Sequence, residues 1–243
     1  MADEKILGVL GGIGPLATVY FMELLVNLTD AASDQGHISC LVYNHASIPD
    51  RTDYIMDSAK PNPLPVMIAD AQLLERSGAE TIVIPCNTAH YFYEQIQKNV
   101  SIPIINIIEE TVKYAHGHVP NLRTLGILAT KGTITAGSYQ KVCEKYGIHC
   151  AVPSLFDEQA LMHIIYNQVK AGQSVDYKEF LRIVDSMLNE GCDAVILGCT
   201  ELSVIHRDLN MDRPDVIDSM EVLAKVSIIS CGKTVRTTHS QLT

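Results

Sequence analysis

Two cysteines occupy matched places in this chain. Residues 78–86 read GAETIVIPC and residues 191–199 read GCDAVILGC, so a glycine, an aliphatic run and a cysteine recur at one spacing. Cys86 is followed by Asn87-Thr88 and Cys199 by Thr200-Glu201, polar residues suited to the start of a helix. A thiolate is a base and a thiol an acid. Two of them across a cleft can remove a proton from one face of a carbon and return one to the other face. A helix N-terminus beside each sulfur would lower the thiol pKa toward neutrality and offer backbone N–H groups to a carboxylate. Cysteine is also among the residues most often buried for packing alone. Recurrence together with a polar helix start after each separates Cys86 and Cys199 from the other five. Cys40 and Cys150 sit in corresponding strands and Cys192 before one, but these, Cys143 and Cys231 have no constellation and read as packing residues.

The elements that position these thiols are legible as alternation. Short β-branched runs at 5–10, 38–43, 81–84, 103–108, 124–128, 148–152, 194–197 and 214–217 read as strands. Helical patterns fall at 15–27, 65–77, 91–98, 134–145, 157–170, 177–190 and 220–230. Such alternation implies parallel sheets covered by helices on both faces. The repeat extends beyond the cysteines. Leu7-Gly8-Val9-Leu10 matches Leu125-Gly126-Ile127-Leu128, Gly14 matches Gly132, and Ile104-Ile105-Asn106 matches Val216-Ile217-Asp218. The expected architecture is α/β: two similar Rossmann-like lobes related by a pseudo-two-fold, with the site between them. Residues 1–101 plus 213–243 would form the first lobe and residues 102–212 the second. Ligands in such sheets bind beyond the carboxyl ends of the strands, where both cysteines fall. Residues 234–243 are polar, carry no periodicity and are expected to be frayed.

Bulk composition bounds the function. The 243 residues are 47% hydrophobic and 19% charged with no Trp, which predicts a globular protein with an aliphatic core. The net charge of −10 and the absence of a Lys/Arg cluster argue against a nucleic-acid partner. No stretch is long enough for a transmembrane helix, so no membrane partner is expected. The acidic start lacks the basic region of a signal peptide. The expected location is cytoplasmic, with all seven cysteines free. No metal-ligand spacing is present, and no metal or other cofactor is expected.

Two signals point elsewhere and are outweighed. Gly12-Ile13-Gly14-Pro15-Leu16-Ala17 satisfies a nucleotide-binding pattern, but the acidic residue that should end the next strand is replaced by Tyr43-Asn44. The turn reads instead as a place where backbone approaches a small ligand. His90 and His206 follow the two cysteine loops and could form Cys–His pairs, but His90 is expected to point along its helix.

Four motifs together resemble the aspartate/glutamate racemase family, and within it the aspartate racemases. They are Gly11-Gly12-Ile13-Gly14-Pro15-Leu16-Ala17-Thr18, Ile48-Pro49-Asp50-Arg51-Thr52, Pro85-Cys86-Asn87-Thr88-Ala89-His90 and Gly198-Cys199-Thr200-Glu201. The resemblance spans nearly the whole chain. It implies amino-acid racemisation without pyridoxal phosphate or metal, with Cys86 and Cys199 as the two acid–base groups and aspartate as substrate. It also implies a homodimer, and a last segment that packs back on the first lobe. Arg51 and Lys170 match the cations around the substrate's carboxylates. Asn87, Thr88, Thr130 and Thr200 match residues lining the cleft, and Gly12 and Glu201 are taken as further substrate contacts. A dicarboxylate requires a second cationic contact, which Arg can supply with two parallel hydrogen bonds. Glu201 stands where glutamate racemases have His, and Gly11-Gly12 where they have Asp-Ser, so aspartate is favoured. The alternatives are a glutamate, hydantoin or broad-specificity racemase, a decarboxylase or isomerase on the same scaffold, or a catalytically weak amino-acid-binding protein.

Overall fold

The structure is a computed structural model and describes residues 5–237. Its first half runs β1 (Leu7–Gly11), α1 (Pro15–Leu28), β2 (Cys40–Asn44), α2 (Arg51–Met56), α3 (Leu64–Arg76), β3 (Thr81–Val83), α4 (Tyr93–Gln97), β4 (Ile104–Ile105) and α5 (Ile107–His118). The second runs β5 (Thr124–Leu128), α6 (Lys131–Ala136), α7 (Ser138–Lys145), β6 (His149–Ala151), α8 (Leu155–His163), α9 (Tyr177–Asn189), β7 (Ala194–Leu197), α10 (Thr200–Asp208), β8 (Val216–Asp218) and α11 (Ser219–Ser230).

Two four-stranded parallel sheets result, ordered β2-β1-β3-β4 and β6-β5-β7-β8. The repeat seen in the sequence is a repeat of register. Leu7 pairs with Thr81 as Leu125 pairs with Ala194, and Ile82 pairs with Ile104 as Val195 pairs with Val216. The fold is therefore α/β with two Rossmann-like lobes. Pairing also decides which lobe the edge strands join. Residues 104–105 sit with the first sheet and 216–218 with the second, whereas boundaries at 101/102 and 212/213 would exchange them. The two matched segments are equivalent edges, so each completes its own sheet.

The helices start where side chains satisfy their first free N–H groups. Asn106 Oδ1 accepts from the N–H of Ile108 and Glu109, Asp218 accepts from Met220 and Thr130 accepts from Thr133. The Asn106 cap ends β4 early, so the expected strand 103–108 is short and α5 follows at once. The helix expected at 91–98 begins as a 3₁₀ turn at Thr88–Phe92, and that expected at 134–145 is interrupted at Gly137. The one at 157–170 widens into a π-helical turn, Ile164–Val169. Residue 235 is not frayed: Val235 bridges Thr29, and Arg236 N donates to Leu28 O at 2.7 Å. Residues 238–243 lie outside the described residues.

The larger core is continuous between lobes. Leu7 and Val9 of β1 and Phe21 and Leu25 of α1 join Val112 of α5, Leu223 and Ile228 of α11, and Ile127 and Ile196 of the second sheet. Leu10, on the opposite face of β1, joins Ile82, Ile84 and Met67 in a smaller core under α3. Thus α1, α5 and α11 hold the sheets in one relation and fix the gap at their carboxyl ends. Among the described residues no helix is long and apolar enough to cross a membrane.

Across that gap α2 lies against α6. A β-carbon on Gly132 would come within 2.7 Å of Thr52 Oγ1 and 2.9 Å of Thr52 Cα. Gly132→Ala therefore forces α2 away from α6. Overpacking of this kind costs about 1–3 kcal/mol, so thermal unfolding is expected to shift downward by several degrees, with the chain still folded.

Candidate active site

Cys86 leaves the end of β3 in a tight turn, its N–H donating to Ile84 O at 2.7 Å. His90 braces that turn. Its Nε2 accepts from the Ile107 N–H at 3.3 Å, so its Nδ1 donates to the Cys86 carbonyl at 2.9 Å. Burial pulls His90 down to about 4, and the ring is neutral. It contacts the Cys86 carbonyl rather than the sulfur, which leaves it a positioning role. Cys199 occupies the N-cap of α10 after β7, and its thiol donates to Glu201 Oε2 at 3.0 Å.

One pocket is lined by Cys86, Cys199, Arg51, Asn87, Thr88, Thr130, Lys170, Thr200 and Glu201. Nine expected site residues from both lobes are thus brought together. Arg51 opens α2 and is 7% exposed. Its Nη1 donates to Pro49 O at 3.0 Å and Ile48 O at 3.4 Å, while the buried Nε has no hydrogen-bond partner. A guanidinium N–H left unpaired out of water is costly and is matched by a carboxylate. Lys170 follows the π-helical turn. Its Nζ lies 3.8 Å from Asp50 Oδ2, 3.9 Å from Glu201 Oε1 and 4.2 Å from the Tyr166 ring centre.

Several of these residues are held by one another. Asn87 Oδ1 accepts from Tyr139 OH at 2.7 Å and its Nδ2 donates to Ser219 Oγ at 3.0 Å, leaving one N–H for a ligand. The hydroxyls of Thr88, Thr130 and Thr133 lie within 3.1 Å of each other, with Thr52 3.4 Å from Thr130. This cluster ties the Cys86 turn to α6 across the gap.

Gly12 is placed apart. It lines an adjoining outer cavity rather than the thiol pocket. Its φ of +90° and the His45 backbone, 2.3 Å from any added β-carbon, explain the glycine. Asp50, Thr52 and Tyr166 line the pocket although sequence reasoning did not select them. Asp50 and Thr52 flank Arg51 in a quoted motif, and Tyr166 precedes Lys170 at the i,i+4 spacing of one helical face.

The electrostatics overturn one expectation. Both thiols are raised above the ordinary cysteine value, not lowered. Burial is the largest cause for each. The two sites differ in their neighbours. Arg51 pulls Cys86 back down, while Glu201 pushes Cys199 up through its charge and its hydrogen bond. Cys86 is the thiol more easily ionised, and Cys199 is held as a donor. Burial opposes the charge on Lys170, but neighbouring negative charge, Glu201 foremost, raises it overall and keeps it an ammonium. Among the described residues no group of three His, Cys, Asp or Glu could hold a metal ion.

A family profile described as Asp/Glu/Hydantoin racemase matches residues 10–226. The chain belongs to that family. It is an isomerase of the amino-acid racemase type. The Picrophilus torridus aspartate racemase structure is 30% identical, with 96% of each chain covered and a TM-score of 0.81. The broad specificity amino-acid racemase RacX of Bacillus subtilis is 28% identical over 228 residues, 91% of this chain and 96% of that protein. A glutamate racemase of Aquifex pyrophilus is 28% identical over 160 residues, 63% of this chain and 59% of that protein.

Charge neighbours predict the thiol titration. Glu201→Gln removes a charge that raises both thiols, so the pH midpoint of thiol alkylation is expected to fall for Cys86 and Cys199. Arg51→Ala removes a charge that lowers Cys86, so the Cys86 midpoint is expected to rise. Alkylation rate against pH, with each site read by mass spectrometry, checks both directions.

Proposed function

We propose that this racemase interconverts L- and D-aspartate by a two-base thiol mechanism that needs no cofactor. The observation carrying the reading is one pocket with a thiol from each lobe and a buried Arg51 whose Nε has no partner. A dicarboxylic amino acid supplies a reacting α-carbon and a carboxylate for that guanidinium.

In one direction the Cys86 thiolate takes the α-proton and the electron pair stays on the carbon. The Cys199 thiol then delivers its proton to the opposite face and becomes the thiolate. The reverse direction exchanges the roles. Arg51 favours the first arrangement, because it stabilises negative charge on Cys86. Glu201 holds the Cys199 thiol for delivery. Arg51 grips the side-chain carboxylate, with Lys170 as the second cation. Thr88, Thr200, the free Asn87 N–H and the helix start at Thr200 hold the α-carboxylate and amine. Glu201, in place of the His of glutamate racemases, supports aspartate over glutamate.

Proton NMR of L-aspartate in D2O tests the reading. Loss of the α-proton signal and growth of D-aspartate are expected. Cys86→Ala and Cys199→Ala should each lower racemisation by about 10²–10⁴-fold, the span of a positioned acid or base. Exchange undiminished in either variant would refute the two-thiol mechanism. Arg51→Ala is expected to erase the preference for aspartate over alanine, and an unchanged ratio of the two rates would remove Arg51 from side-chain recognition.

A further inference from the structure

Arg51 is seated by a loop whose anchor lies outside the thiol pocket. Residues 45–50 join β2 to α2. Arg51 Nη1 donates to the carbonyls of Ile48 and Pro49, so the path of this loop fixes where the guanidinium points. Ala46 and Ser47 are exposed, and Ile48 is buried in the smaller core. His45 stands at the start. Its Nδ1 lies 2.8 Å from Asp70 Oδ2 on α3. A carboxylate only accepts, so Nδ1 donates. Asp70 shares the buried face of α3 with Met67, Ala71 and Leu74 and is 5% exposed. Packing alone would place an apolar residue there, and a buried acidic group requires a partner.

The backbone of His45 is fixed as well. Its N–H donates to Gly11 O at 3.2 Å, and its carbonyl accepts from the Ile48 N–H at 3.4 Å. A β-carbon on Gly12 would fall 2.3 Å from the His45 carbonyl carbon. The glycine-rich turn that matched a nucleotide pattern thus has a task of its own, because it lets residue 45 cross it closely. Three links then run in series: Asp70 to His45, His45 to Ile48, and Ile48 to Arg51. His45 itself does not line the thiol pocket.

We propose that His45 is a positioning residue for the racemase: by gripping Asp70 it sets the loop that seats the Arg51 guanidinium, and so governs how tightly the substrate's side-chain carboxylate is held. The proposal rests on the reading of Arg51 as the contact for that carboxylate. The carboxylate takes no part in the proton transfers, so weaker seating of Arg51 raises KM and leaves kcat nearly unchanged. A displaced guanidinium also ceases to pull the Cys86 thiol down.

The experiment compares the unaltered protein with His45→Ala, His45→Asn and the double variant His45→Ala/Asp70→Asn. Asparagine returns a donor near the place of Nδ1. The double variant carries no unpaired buried carboxylate, the feature that could unfold His45→Ala. In His45→Ala and the double variant, KM for aspartate in α-proton exchange is expected to rise by at least about 10-fold, the scale of one misplaced hydrogen bond to a charged group. The pH midpoint of Cys86 alkylation should rise while that of Cys199 stays in place. His45→Asn should restore both values. An unchanged KM, an unchanged Cys86 midpoint, equal shifts at both cysteines, equal losses of kcat and kcat/KM, or failure of asparagine to restore them overturns the inference. No exchange of aspartate by the unaltered protein overturns the racemase reading instead, and the Cys86 midpoint still decides the link from His45 to Arg51.

Discussion

Two thiols buried in one pocket impose a problem that the surrounding residues answer. Removal from water raises both pKa values, and a base that is never ionised abstracts nothing. The proposed two-thiol reaction needs one thiol assisted toward the thiolate while the other keeps its proton. Arg51 beside Cys86 and Glu201 beside Cys199 impose that difference, and Lys170 sits within ion-pair distance of Glu201 in the same pocket. The burial that makes ionisation hard also strengthens these charge effects, because little water is present to screen them.

The rest of the molecule keeps that arrangement in register. Each sulfur leaves a strand whose place is set by parallel pairing to the first strand of its half. The shared core through α1, α5 and α11 fixes one sheet against the other. Bonds that cross the gap then refine the approach: Tyr139 and Ser219 on Asn87, and the threonine hydroxyls linking the Cys86 turn to α6. Near-symmetric halves suit a reaction that must treat two faces of one carbon alike. The departures from symmetry fall on charged residues: Arg51 comes from the first half, Lys170 and Glu201 from the second.

Much of this was legible in the residues. Hydrophobic period and alternation are local properties, so most strands and helices were readable. The repeat of Gly, aliphatic run and Cys carried the architecture and selected Cys86 and Cys199 from seven cysteines. Asp50 and Tyr166 were missed because their place beside the thiols depends on the cap of α2 and on the π-helical turn before Lys170. Neither short element has a strong period. The edge strands were given to the wrong lobes because two or three residues declare their partner only through pairing.

The sequence by itself determined that the chain is a duplicated α/β protein of the racemase type, and which cysteines end its matched strands. The duplication and the matched cysteines follow from residue type and spacing along one dimension; the racemase type followed from the resemblance of four motifs to a known family. Only the tertiary structure decided the ionisation of the thiols. A helix start next to Cys199 suggested a lowered pKa, but whether water reaches the sulfur depends on residues distant in the chain. The structure also decided that Gly12 belongs to an outer cavity, that Asn87 is braced by Tyr139 and Ser219, and that His90 grips a carbonyl. Burial, partner choice and charge proximity are set by distances between segments far apart in sequence, and only the folded chain brings those segments together.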